Sequence, residues 1–247
     1  SDCDILIGIK EVPIKFLIPN KKYLFFSHTI KQQNYNRDLL ISMIEMGISM
    51  VDYEVISSKN NRLVGFGRYA GIIGAYNGFL TYGLKSGKYR LKPAYQCTDR
   101  VELEKQLKGV KLNNEKIVVT GNGRVGKGII ELVKILALKE VAIDEFLNKT
   151  FKEPVFVHLK TMDYNERIDG SDTNNEHFYR YPELYQSSFM KFAKKADIFI
   201  AGHYYSTGSP YLFTRDDAKS YDFNLKVVAD VSCDIDGPVA STIRLLL

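Results

Sequence analysis

Apolar positions along this chain alternate between short uninterrupted runs and longer stretches with helical spacing, which predicts an α/β protein. Residues 5–9 and 23–26 are brief apolar runs of the kind that form buried parallel strands. Pro13, Pro19 and Asn20 between them mark a loop. Residues 37–46 place Leu39, Leu40, Met43 and Ile44 on one face of a helix that Gly47 can end. Residues 48–56 read as a further strand. Over 71–84, Gly71, Gly74, Gly78 and Gly83 stand among large apolar residues, predicting a helix that approaches other backbone closely and connects two domains. Residues 116–120, 196–201 and 225–230 read as strands and 124–138 as a helix, while 163–185 form a long polar insertion.

The strand at 116–120 runs directly into Gly121-Asn122-Gly123-Arg124-Val125-Gly126, a G-x-G-x-x-G turn that opens a helix. In a dinucleotide site Gly121 permits the tight turn, and Gly123 leaves out the Cβ that would block a pyrophosphate. Gly126 lets helix and strand pack closely. Arg124 and Val125 then open a helix whose N-terminus presents unpaired N–H groups to phosphate. The alternative is a glycine-rich turn with no ligand. Lys127 is followed by Gly128, not Ser or Thr, which excludes a P-loop. The acid that recognises the ribose is expected about 20 residues on. Asp144 and Glu145 lie near that distance but equally suit the start of a helix. NAD and NADP both stay open, with NAD slightly preferred.

Composition narrows the class. The chain is 45% hydrophobic and 26% charged, with a net charge of +5 spread along its length. That spread suits small anions and argues against a nucleic-acid partner. Cys3, Cys97 and Cys233 lie far apart without a CxxC, as in a protein with reduced thiols. No apolar run reaches the ~18 residues of a membrane span, and no leader pattern opens the chain. The expectation is a soluble cytoplasmic protein, a monomer or homodimer.

Lys10 and His28 follow the first two predicted strands, so a parallel sheet would bring them to one edge, where ligands bind. On spacing alone a surface Lys and a core-edge His account for them equally well. These residues also carry a resemblance. Gly8-Ile9-Lys10-Glu11, the block Phe26 to Lys31 with its Ser-His-Thr-Ile core, Asp52-Tyr53-Glu54 and the segment Phe66 to Gly71 resemble the saccharopine dehydrogenase and lysine–ketoglutarate reductase group. That group lies within the alanine dehydrogenase/transhydrogenase superfamily. Gly121 to Gly128 and Val228 to Asp234 fit its cofactor domain.

The resemblance implies two Rossmann-like domains with parallel sheets and an interdomain cleft. It also implies NAD(P)-dependent reductive amination of 2-oxoglutarate by the lysine side-chain amine, or the reverse. Small-molecule partners are thus an amino acid and a 2-oxo acid. Lys10 and His28 would be the acid–base pair, Glu11 and Glu54 would tune them, and Lys31 would hold a substrate carboxylate. Asp230 and Asp234 would lie near the nicotinamide, or cap a loop. His203 would line the nicotinamide pocket, or serve structure. No metal is implied. The expected division is a substrate domain over 1–70, lacking an N-terminal segment that the group has, and a cofactor domain over 71–236. Residues 237–247 would then begin a return to the first domain. An alanine dehydrogenase-like enzyme and a non-catalytic NAD(P)-binding module are the competing readings.

Overall fold

The computed structural model describes residues 2–31, 34–59, 61–205, 208–232 and 237–242. The chain divides into two compact units, Ser1–Phe66 and Gly67–Leu247.

In the first unit, β1 (Ile5–Ile7), β2 (Lys22–Phe25) and β3 (Ser49–Asp52) form a parallel sheet in the order β1-β2-β3. Helix α1 (Arg37–Glu45) links β2 to β3. Its Leu39 and Met43 pack with Tyr23, Phe25 and Leu17 into a small core. The opposite sheet face is uncovered: Ile5 is 53%, Ile7 75% and Val51 46% exposed. The expectation of a buried first strand is therefore corrected, since β1 is a sheet edge with one face open. The predicted strand at 48–56 also ends early. The Asp52 carboxylate accepts the Glu54 N–H at 2.8 Å, turning the chain into a short hairpin of β4 (Ser57–Ser58) and β5 (Asn61–Arg62).

The second unit opens with α2 (Gly67–Ser86), four residues ahead of the predicted helix, then α3 (Arg100–Leu107). The domain boundary falls ahead of 70/71 because the first turn of α2 already packs within the second unit, with Gly67 against Arg124 and Val125. Strand β6 (Lys116–Thr120) leads into α4 (Arg124–Ile135), β7 (Lys139–Glu140), α5 (Ile143–Asn148) and β8 (Val155–Leu159). The helix stops short of the predicted 138 as Ala137 turns to φ +53°.

The polar insertion is itself ordered. Strands β9 (Asn165–Arg167) and β10 (Tyr185–Ser187) pair antiparallel around α6 (Asn175–Arg180), whose first turn Asn174 caps through the His177 N–H. The chain continues through α7 (Met190–Ala193), β11 (Ile198–Ala201) and β12 (Val227–Asp230).

Five parallel strands form the main sheet in the order β12-β11-β6-β8-β7. Alternation along β6 sends Ile117 and Val119 into the core under α2 and α4, and Val118 into the opposite core with Phe146, Phe189 and Phe192. Burial on both faces explains the near-continuous apolar strands. Residues 237–242, expected to turn back to the first domain, lie on the second unit. Leu212 N–H donates to the Pro238 carbonyl at 2.8 Å, and Val239 is fully buried.

Candidate functional site

The turn after β6 has the geometry that its glycines predict. Gly121 adopts φ +98°, and a Cβ there would sit 2.2 Å from the Gly202 carbonyl oxygen. A Cβ on Gly126 would meet the Gly121 carbonyl oxygen at 1.9 Å. Both glycines are thus required by close backbone approach. Gly123 differs: nothing lies within 4 Å of its missing Cβ, so the space it leaves is open. That is the cradle a pyrophosphate would use. Gly123 caps α4, whose first residues are Arg124 and Val125.

A cavity of about 620 Å³ adjoins this turn, lined by Gly121, Gly123, Arg124, Val125, Lys160 and His203 among others. Its size is within the range of small-molecule sites, about 300–1,000 Å³. His203 follows β11, and its Nδ1 shares a 2.8 Å hydrogen bond with Thr120 Oγ1. Its buried Nε2 has no partner among the described residues. Burial lowers the imidazole pKa to about 4, against the opposing pull of the Asp230 charge, so the ring is neutral at pH 7. An orphaned polar atom beside an open cradle fits a polar ligand. His158, to which sequence reasoning assigned no role, donates from Nε2 to the Gly121 carbonyl at 2.7 Å and fixes the turn.

Asp230 ends β12 and does not line that cavity. Its carboxylate accepts from Ser232 Oγ at 2.8 Å and Thr242 Oγ1 at 2.7 Å, the arrangement of a loop cap. Asp234 lies outside the described residues. Asp144 and Glu145 sit in the first turn of α5, hydrogen-bonded to Asn148 and Lys149 respectively. They are helix-start residues rather than a ribose acid at a strand end.

In the first unit His28 and Glu11 come together. The imidazole Nδ1 contacts Glu11 Oε1 in a short hydrogen bond. A carboxylate there holds the proton on Nδ1 and leaves Nε2 as the acceptor. His28 also adopts φ +56°, a left-handed conformation uncommon outside glycine. Two contacts hold that backbone. Buried Ser27 donates to Asp52 Oδ2 at 2.5 Å, and its Oγ accepts the Thr29 N–H at 3.1 Å. Phe26 meets Tyr53 and Phe66 edge-on, each at 5.3 Å between centroids.

The Ser27–Asp52 pair was missed in the sequence, because its partners are 25 residues apart. Lys10 is exposed on the loop after β1. Glu54 pairs with Arg62 at 3.1 Å. Lys31 closes the turn after His28, and its side chain lies outside the described residues. No cluster of metal-ligating side chains occurs among the described residues, and none of their helices is long and apolar enough to cross a membrane.

Comparison with known proteins points the same way as the motifs. The mitochondrial alpha-aminoadipic semialdehyde synthase of Bos taurus is 29% identical over 248 residues, covering 89% of this chain. That of Arabidopsis thaliana is 26% identical across 100% of the chain. A saccharopine dehydrogenase [NAD(+), L-lysine-forming] of Yarrowia lipolytica is 25% identical over 95% of the chain. The chain is thus similar to alpha-aminoadipic semialdehyde synthases and to a saccharopine dehydrogenase. It spans 26% of the bovine protein, 27% of the plant protein and 58% of the Yarrowia protein. No family model matches it. Among solved structures, an L-alanine dehydrogenase aligns over 88% of this chain and 52% of its own, with 13% identity and a TM-score of 0.47. The Glu11–His28 pair lies in the first unit and the glycine turn in the second.

Proposed function

We propose that this chain binds a nicotinamide dinucleotide at the β6–α4 turn and takes part in an amino-acid oxidoreductase reaction of the saccharopine dehydrogenase type. The observation that carries the reading is the open space at Gly123, framed by two glycines that backbone contact makes obligatory. Gly121, Gly123 and the N–H groups of Arg124 and Val125 would hold the pyrophosphate, and His203 would face the ligand as a neutral hydrogen-bonding group. A dinucleotide held there would supply hydride exchange at the substrate carbon.

The protein's own groups move the protons. When an amine adds to a 2-oxo acid, its nitrogen sheds a proton, and the carbonyl oxygen departs as water after taking up two. His28 Nε2, freed by the Glu11 contact at Nδ1, accepts the first. The Lys10 ammonium donates toward the departing oxygen. Lys31 would neutralise a substrate carboxylate, and Glu54, paired with Arg62, would tune the acid–base pair.

NADH and NADPH oxidation followed by absorbance tests the reading, with lysine plus 2-oxoglutarate in one assay and ammonia plus pyruvate in another. Turnover only with the first pair supports it. Turnover only with the second makes the protein alanine dehydrogenase-like, and dinucleotide binding without turnover makes it a binding module.

A further inference from the structure

Two side-chain turns stand next to each other at the end of the first unit's sheet. Ser27 Oγ accepts the Thr29 N–H at 3.1 Å, a turn that spans His28, and the Ser27 and Thr29 hydroxyls lie 2.7 Å apart. The neighbouring strand ends in the same way. Asp52 Oδ1 accepts the Glu54 N–H at 2.8 Å, a turn that spans Tyr53. β2 and β3 pair in parallel with Phe25 opposite Asp52, and the Tyr53 N–H donates to the Phe25 carbonyl at 3.1 Å. The pairing sets the two turns side by side. One bond joins them: the Ser27 hydroxyl donates to Asp52 Oδ2 at 2.5 Å.

Burial separates the joining pair from the groups that meet solvent. Ser27 is 0% and Asp52 6% exposed, whereas the His28 and Glu11 side chains keep 17% and 29% of their surface accessible. Each Asp52 oxygen takes one donor, which offsets the cost of burying its charge. What the bonds sustain is the left-handed backbone of His28, at φ +56°. Without them residue 28 would relax toward negative φ, and its ring would leave Glu11.

Resting on the acid–base role proposed for His28, we infer that Asp52 and Ser27 are positioning residues for it. Asp52 acts through the Ser27 hydroxyl to keep His28 left-handed, which keeps Nδ1 on Glu11 and Nε2 free to accept a proton. Through its other oxygen the same carboxylate fixes the backbone of Glu54, so one buried group sets two segments of the site. The role is geometric. An amide at position 52 can still accept from Glu54 and donate to Ser27 Oγ, while Ser27 donates to Thr29 Oγ1 instead.

The test reads turnover of the full chain together with the ring nitrogens of His28. The chain has 4 histidines, so long-range proton–nitrogen correlation spectra resolve them, and His28→Asn assigns the signal. Ser27→Ala and Asp52→Ala are each expected to lower kcat about 10–100-fold, the cost of about an ångström of misplacement, with nucleotide Kd unchanged. Combining them should cost little more than Asp52→Ala alone, because both break the same chain of bonds. In each variant the His28 signal should change from the Nδ1-protonated tautomer to an averaged one. Asp52→Asn should keep both the wild-type spectrum and most of the turnover. Circular dichroism checks each fold, and Ser27→Ala, which deletes one hydroxyl, decides the question should Asp52→Ala not fold. A brace for the fold alone would lower the melting temperature and leave kcat and the His28 spectrum unchanged, and that result overturns the inference. Asp52→Asn as inactive as Asp52→Ala also overturns it, since the charge would then be the acting feature. Absence of turnover in the unaltered chain counts against the proposed reaction, and the His28 spectra then decide the positioning role by themselves.

Discussion

His28 combines three features that rarely meet by accident: a left-handed backbone, a carboxylate on Nδ1 and a buried Ser27–Asp52 pair beside it. Strain of this kind persists where the surroundings over-determine it, as they do at functional sites. Asn tolerates left-handed backbone, so His28→Asn removes the imidazole with little change in fold. On the proposed function it is expected to lower turnover by about 10²–10⁴-fold while nucleotide affinity stays unchanged, as steady-state rates and nucleotide titration would show. An unchanged rate removes His28 from the chemistry.

The second histidine makes a pH prediction. Burial of His203 lowers its pKa from 6.5 to about 4, so below pH 6.5 the unfolded chain takes up a proton that the folded chain refuses. The stability linked to this group is complete above pH 6.5 and is lost as pH falls toward 4. At about 1.4 kcal/mol per pKa unit the loss is at most about 3 kcal/mol. Denaturant melts of the wild type should show that decline, and His203→Gln should flatten it.

Among the elements, the crossing of α2 and α4 is the most exacting. A Cβ on Gly71 would lie 2.0 Å from the Val125 carbonyl oxygen, and one on Gly128 would lie 2.0 Å from that of Arg68. Each helix presents a glycine to the other's backbone, so neither contact relaxes through a side chain. Gly128→Ala should therefore destabilise despite alanine's better helix propensity, by about 1–3 kcal/mol or more. Urea denaturation decides it, and a neutral or stabilising result would show that the helices separate readily. The same crossing is clamped at its surface. Arg68 on α2 and Arg100 on α3 both bind Glu131 on α4, and with Arg68 as the main cause they lower its pKa to about 2.

At the scale of the whole molecule, the two units have separate cores. A nucleotide bound at the β6–α4 turn stabilises the unit that holds it, by about 2.7 kcal/mol at 100 times its Kd. Hydrogen exchange with saturating NADH or NADPH should show slowed amides at 121–125, 160–161 and 202–205. The core segments of the first unit, around Tyr23, Phe25 and Leu39, should exchange as before. Protection confined to the first unit would move the nucleotide site away from the glycine turn.

Much of this was legible along the chain, because local chemistry determines it. The G-x-G-x-x-G turn, the apolar strand before it and the helix after it follow from glycine's conformational freedom and from periodicity, and both are properties of neighbours in sequence. The family resemblance rested on equally local blocks, and His28 and Glu11 stood within them. What the sequence could not determine was adjacency. Asp144 and Glu145 were plausible ribose acids by counting, yet the chain skips to the sheet edge before returning, so the residue next to the turn is Lys160. The open face of β1, the Ser27–Asp52 pair and the packing of 237–242 on the second unit are likewise long-range. They depend on which surfaces meet once the backbone hydrogen bonds are paired, and only the folded sheet chooses that pairing.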